Sequence, residues 1–146
     1  MDTSVKIRPA RESDLQSMKA LLESSSLPTT GIEKHLATFF VAELDGSVIG
    51  LMGLERYDGT SLLRSAAVAL EYRGSGIGAA LYETVLRTAQ SLGIPRLILL
   101  TTSAESYFRA RGFRRVDATT ITGPVTSSVE FAGACPSTAT CMELDL

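Results

Sequence analysis

Six consecutive residues, Arg73-Gly74-Ser75-Gly76-Ile77-Gly78, constrain this chain more than any other stretch. They follow an apolar run from Leu62 to Val68 that reads as a strand. They precede Ala79 to Ser91, where Leu81, Val85, Leu86 and Ala89 recur at helical spacing and Gly93 supplies a C-cap. A strand that gives way to a glycine-rich turn and then a helix gathers several backbone N–H groups into one concavity. The helix N-terminus adds roughly half a positive charge there. Phosphate or pyrophosphate is the natural occupant, and glycine lets backbone approach it closely.

Several chemistries use such a loop. Gly74, Gly76 and Ala79 satisfy a loose G-x-G-x-x-G/A pattern. A dinucleotide fingerprint also needs an acidic residue at the end of the next strand. Here the apolar run Arg96 to Leu100 ends in Thr101-Thr102, and the loop follows a meander instead of an opening β-α-β unit. A nucleotide P-loop is excluded because no Gly-Lys-Ser/Thr follows. A glycine turn with no ligand remains as the bland alternative.

The rest of the chain supplies the frame. Val5 to Arg8 alternates and stops at Pro9, predicting a short first strand. Ser13 to Leu22 carries Leu15, Met18, Leu21 and Leu22 at helical spacing, with Ser13 or Asp14 as a cap. Ser24 to Thr30 is a loop, and a second short helix is expected around Ile32 to Leu36. Phe39 to Leu44 and Val48 to Glu55 are apolar runs joined by Asp45-Gly46, a strong hairpin signal. With Leu62 to Val68 they form a three-strand meander. Arg96 to Leu100 is apolar enough to lie centrally. A short helix from Ser103 to Arg111, a strand from Phe113 to Val116, a long loop from Thr119 to Ser128, a helical turn around Val129 to Ala134 and a last strand from Thr138 to Leu144 follow. Hairpin strands beside a β-α-β crossover imply a mixed sheet with helices on its faces.

At 146 residues the chain fits one domain, residues 1–146, with no internal repeat or linker. A net charge of −2 gives no basic footprint for nucleic acid, so any anion site is local. The longest wholly apolar run is far too short for a membrane span, and the N-terminus lacks a secretory pattern. A cytoplasmic location is expected, with Cys135 and Cys141 as free thiols. The apolar last strand and the Thr/Ser-rich segment before it leave a homodimer open.

Arg73-x-x-Gly76-x-Gly78, with the strand Leu63-Arg64-Ser65-Ala66-Ala67-Val68 before it and an amphipathic helix after it, resembles the central motif of the GNAT superfamily of acyl-CoA N-acetyltransferases. Arg109-Ala110-Arg111-Gly112-Phe113 resembles that family's second motif, and the resemblance covers nearly the whole chain. It implies an α/β fold with a mixed, mostly antiparallel central sheet, splayed at the acyl-CoA site and flanked by helices on both faces. It implies acetyl-CoA as co-substrate and no metal. Loop residues Arg73, Gly74, Ser75, Gly76, Ile77, Gly78 and Ala79 would hold the pyrophosphate. Ala67, Val68 and Ala69, beside a bulge, would hydrogen-bond the pantetheine arm, and the Val68 N–H would polarise the thioester carbonyl as an oxyanion hole does.

The catalytic groups are harder to place. An alkylamine, with a pKa of about 10, must become neutral, and the departing thiolate needs a proton. The family often supplies that proton from a tyrosine four residues before the glycine of the second motif, but Phe108 stands there. Tyr107, one place earlier and about 100° around the helix, is either a substitute acid or a packed aromatic. Glu55, at the end of an apolar strand, is the candidate base or a solvated carboxylate. His35, the only histidine, borders the acceptor site or sits on a surface helix. Arg64 lies inside an apolar run, so burial demands an anionic partner. That partner is a substrate acid group, or Glu55 or Asp58.

The tail Glu130-Phe131-x-x-x-Cys135-Pro136-Ser137-x-x-x-Cys141-Met142 is unusual. With Leu27-Pro28-Thr29 and Leu99 to Glu105, it resembles the ArsN-type acetyltransferases associated with arsenic resistance. That resemblance implies a small amino-acid acceptor with a second acidic group, such as phosphinothricin or arsinothricin. A peptide acceptor and a non-catalytic acyl-CoA sensor are the rival functions. Soft thiolates bind trivalent arsenic, so Cys135 and Cys141 are either an arsenic site or small packed thiols.

Overall fold

A computed structural model describes residues 4–128, 130–131 and 138–146. Seven strands form one sheet: β1 (Lys6–Pro9), β2 (Phe39–Leu44), β3 (Ser47–Glu55), β4 (Thr60–Val68), β5 (Arg96–Thr101), β6 (Arg114–Val116) and β7 (Thr140–Asp145). Their spatial order is β1-β2-β3-β4-β5-β7-β6. All neighbours run antiparallel except β4 and β5, which the crossover helix makes parallel. The helices are α1 (Leu15–Ser24), α2 (Ile77–Ser91) and α3 (Glu105–Arg109).

Alternation along the strands divides the core. On one face Phe40, Ala42, Met52, Leu54 and Leu63 pack with Leu81, Val85 and Ala89 of α2 and with Phe108 of α3. On the other, Phe39, Val41 and Leu51 pack with Met18 and Leu22 of α1. β3 is therefore buried on both sides, and its sequence runs almost continuously apolar for that reason. Gly53 answers a specific need: a Cβ there would stand 2.3 Å from the Phe39 ring. The β2–β3 hairpin turns on Asp45 and Gly46 at φ of 50° and 81°, the paired positive angles a two-residue turn requires.

Two local expectations change. The segment from Ile32 to Thr38 is a pair of tight 3-10 turns broken at His35, whose φ of −126° leaves the helical region. Asp14 does not cap α1 with its side chain. Arg8 grips both its carboxylate oxygens, at 2.8 and 2.9 Å, and the Arg11 N–H adds a third bond. The expected helical turn at Val129 to Ala134 falls mainly outside the described residues, as does Cys135. No helix among the described residues is long and apolar enough to cross a membrane.

Candidate active site

β4 and β5 pair only from Thr60 to Leu62 against Arg96 to Ile98. Beyond that point the two strands no longer pair with each other, and a cleft of about 370 Å³ opens between them. The divergence has a local cause. The β3–β4 register runs from Leu51↔Ala67 to Gly53↔Arg64, so β4 holds one residue more than β3 across this stretch. Ser65, at a φ of 63°, sits in that bulge. A bulge bends and twists its own strand, here away from β5.

After the bulge, the Ala69 N–H donates to the Ile49 carbonyl at 2.8 Å. Successive amides alternate across a strand, so the Val68 backbone groups face the opposite edge, toward the cleft. The Arg73 Nε–H takes the Val68 carbonyl at 3.0 Å, tying the glycine loop to the strand end. Both residues line the cleft, together with Ala67.

The loop itself is preset. Gly74 and Gly76 have φ of 81° and 88°, where an L side chain is strained, and no atom lies within 4 Å of a Cβ position at either. Gly76 opens α2, so the unpaired N–H groups of its first turn lie at the loop. The Ile77 side chain is buried in the core, which leaves its backbone as the part available to a ligand. The Ser75 hydroxyl donates to the Tyr72 carbonyl and so braces the turn. These features fit a pyrophosphate-bearing coenzyme.

The candidate catalytic side chains separate. Phe108 is buried and lines the cleft, while Tyr107 is not among the cleft-lining residues. The Tyr107 ring lies 3.6 Å beneath the Arg111 guanidinium, and its hydroxyl is near Gly78 at the head of α2. The one-residue offset seen in the sequence thus puts a phenyl ring, without a hydroxyl, at the cleft wall.

Arg64, Glu55 and His35 come together. The Arg64 side chain is wholly buried. Its Nη1 reaches Glu55 Oε2 at 2.7 Å and the Thr30 carbonyl at 2.8 Å, and its Nη2 reaches the Pro28 carbonyl at 3.0 Å. Nε donates to the Ser65 hydroxyl at 2.9 Å and lies 3.3 Å from Glu130 Oε2. Glu55, 2% exposed, also accepts a bond from the Tyr57 hydroxyl, and His35 Nε2 stands 3.6 Å from its Oε1. Burial first, and the bond to Glu55 second, hold the Tyr57 phenol above its ordinary pKa.

This cluster divides two spaces. Arg64 and Glu130 line the cleft, whereas Glu55, His35 and Tyr57 line a second cavity of about 190 Å³. Sequence reasoning missed Glu130 and Tyr57 as parts of this network. The available signal was a lone arginine and two lone carboxylates in apolar surroundings, each needing a partner. It also missed Ser25, whose buried hydroxyl in the cleft wall has no partner among the described residues. The segments that suggested the narrower resemblance, Leu27-Pro28 and Leu99 to Ala104, line the same cleft.

Residues 7–115 match the acetyltransferase (GNAT) family. The chain belongs to that family. An amino-acid acetyltransferase from Mannheimia succiniciproducens is 34% identical over 85 residues, covering 57% of this chain and 19% of the relative. Another, from Mycobacterium tuberculosis, is 32% identical over 130 residues, covering 82% of this chain and 74% of the relative. The chain thus spans about a fifth of the length of the first-matched curated relatives. N-acetylglutamate synthase from Neisseria gonorrhoeae, solved with coenzyme A and N-acetyl-glutamate, aligns at a TM-score of 0.82 and 22% identity. The alignment covers 100% of this chain and 36% of that one. A Mycobacterium tuberculosis protein solved with coenzyme A aligns at 0.80 and 25% identity, covering 97% of this chain and 99% of that one. The GNAT architecture expected from the glycine loop is the architecture found.

Proposed function

We propose that this protein transfers an acetyl group directly from acetyl-CoA to the amino group of a small amino acid. The observation that carries the reading is the cleft itself. It is lined by Arg73, which leads into the glycine loop, by Val68, and by the buried charges Arg64 and Glu130. Acetyl-CoA would supply an activated thioester. Backbone N–H groups from Gly74 to Ala79, with Arg73, would hold its pyrophosphate. Ala67 to Ala69 would align the pantetheine arm, and the Val68 N–H would stabilise negative charge on the carbonyl oxygen during attack. Kinship with amino-acid acetyltransferases supports an amino-acid acceptor.

The finer reading is an acceptor with a second acidic group, phosphinothricin or its arsenic analogue arsinothricin, handled in the cytoplasm in an arsenic-resistance setting. Its support is the narrower sequence resemblance, whose segments line the cleft, and the unpartnered Ser25 hydroxyl, a donor suited to an acidic oxygen. Arg64 belongs to the acceptor side through its contacts with Glu55 and Glu130, and His35 through its contact with Glu55. With Phe108 at the wall, the thiolate takes its proton from the amine or from water.

The test is thiol release from acetyl-CoA with a panel of amino acids and peptides. Turnover on phosphinothricin or arsinothricin supports the finer reading, and turnover on other amino acids supports only the broader one. Turnover on peptides alone, or tight coenzyme binding without turnover, overturns both.

A further inference from the structure

Part of the cleft wall is not built by the sheet. Loop 25–30, between α1 and the tight turns that begin at Ile32, contributes Ser25, Ser26, Leu27 and Pro28 to the lining. The amides of Ser25, Ser26 and Leu27 bond back to carbonyls of α1. Ser26 takes a φ of 57°, a region that suits glycine and strains other residues. Strain of this kind persists only where the surroundings hold it. Leu27 packs against the core on the α1 side, but apolar contact is non-directional and fixes no set distance. Among the described residues, the hydrogen bonds that join this loop to the sheet both come from one guanidinium. Arg64 Nη1 donates to the Thr30 carbonyl at 2.8 Å, and Nη2 donates to the Pro28 carbonyl at 3.0 Å.

The Arg64 side chain is wholly buried, so the small part of the residue that meets the cleft is backbone. Nη1 also donates to Glu55 at 2.7 Å, and Nε donates to the Ser65 hydroxyl at 2.9 Å. Ser65 stands in the bulge, so the loop hangs from the point where β4 turns away from β5 on its way to Val68. A planar fork with donors on three nitrogens holds two carbonyls at set positions together. An ammonium, one nitrogen on a flexible stem, does not.

We propose that Arg64 is the positioning residue for the acceptor: without touching it, Arg64 sets the distance between loop 25–30 and Val68, and so which amino acid fits between them. The proposal rests on the amino-acid acetyltransfer reading, in which Val68 marks the thioester carbonyl. A loop displaced by about 1 Å puts the amine out of line with that carbonyl, while the glycine loop keeps its hold on the coenzyme.

The experiment uses R64K, which keeps a positive charge for Glu55 but loses the fork. The acceptor is L-phosphinothricin, or whichever amino acid of the panel above the wild type acetylates fastest. Acceptor kcat/KM should fall about tenfold to a hundredfold, with KM rising more than kcat falls, and coenzyme A affinity should stay within about twofold. Hydrogen exchange at the amides of Ser25, Ser26 and Leu27 should quicken, and exchange in α2 should not. A second variant, with one glycine inserted between Pro28 and Thr29, leaves Arg64 intact and moves one carbonyl out of its reach. It should show the same loss, and combining it with R64K should be no worse than either change alone. An R64K with wild-type acceptor kinetics overturns the proposal. So does an insertion variant with wild-type kinetics, which decides the matter if R64K does not fold. Equal losses of coenzyme A affinity and acceptor kcat/KM, with exchange quickened in α2 as well, overturn it in favour of general loosening. A wild type that acetylates no amino acid overturns the proposal together with the reading it rests on.

Discussion

The two ends of the cleft are built by opposite means. The proposed coenzyme end is one contiguous stretch, Arg73 to Ala79, built from backbone geometry and the head of α2. The proposed acceptor end is assembled from side chains and carbonyls at Pro28, Thr30, Glu55, Arg64 and Glu130, which come from separate stretches of the sequence and meet in one buried network. A backbone site tolerates most side-chain change provided its glycines stay. A charge network does not, because each member leaves another uncompensated when it is lost.

That contrast can be tested by breaking each end in turn. The largest effect is expected from Arg64→Met. It strands two buried carboxylates, and breaking a buried pair costs about 3–5 kcal/mol. Denaturant unfolding measures this, and the double variant R64M/E55Q should recover part of the loss. Full additivity would mean the network is not coupled. At the other end, Gly76→Val forces a side chain into a positive-φ position and crowds the anion cradle. Coenzyme A affinity should fall at least about tenfold while stability drops by only about 1–3 kcal/mol. An unchanged dissociation constant would refute the loop assignment.

Smaller effects sharpen the picture. Tyr107→Phe should leave kcat within about twofold, because the wall residue is Phe108; a drop near the hundredfold typical of lost general-acid catalysis would reinstate Tyr107 as the acid. The smallest concerns Cys141, a buried free thiol in the core cluster with Leu62 and Ile98. Burial, with Glu143 and Asp117 adding to it, pushes its pKa up to about 11. The unfolded chain ionises this thiol near pH 8.5 to 9 and the folded protein does not. Its contribution to stability is therefore complete below that range and declines as pH rises through it toward 11. Cys141→Ala should flatten this alkaline decline. A thiol held neutral is also a poor ligand for trivalent arsenic, so C141S should leave arsenite affinity unchanged.

The same contrast explains what could be read before the structure. The seven strands, the hairpin at Asp45-Gly46 and the loop-to-helix entry at Gly76 depend on local periodicity and turn chemistry, and they appear where expected. The bulge at Ser65 carries no local signal, since Leu63 to Val68 is a good strand sequence and the extra residue shows only against β3. Arg64 announced that it needed an anion, but not which one. Glu55 lies nine residues away on the adjacent strand, whereas Glu130 sits 66 residues on, beyond reach of any pattern argument. Likewise, the offset between Tyr107 and Phe108 was visible as spacing, while its outcome, a hydroxyl beside Gly78 and a phenyl ring at the wall, depends on how α3 docks.

One guanidinium that serves Pro28, Thr30, Glu55, Ser65 and Glu130 also shapes how this protein can diverge. Substitutions at Glu55, Ser65 and Glu130, which meet Arg64 through their side chains, are not independent trials, because each alters the value of the others through Arg64. A change at the arginine calls for a matching change at a carboxylate, since either one alone leaves a buried charge unpaired. The glycine loop, free of such ties, can be inherited unaltered while the far end of the cleft is rebuilt.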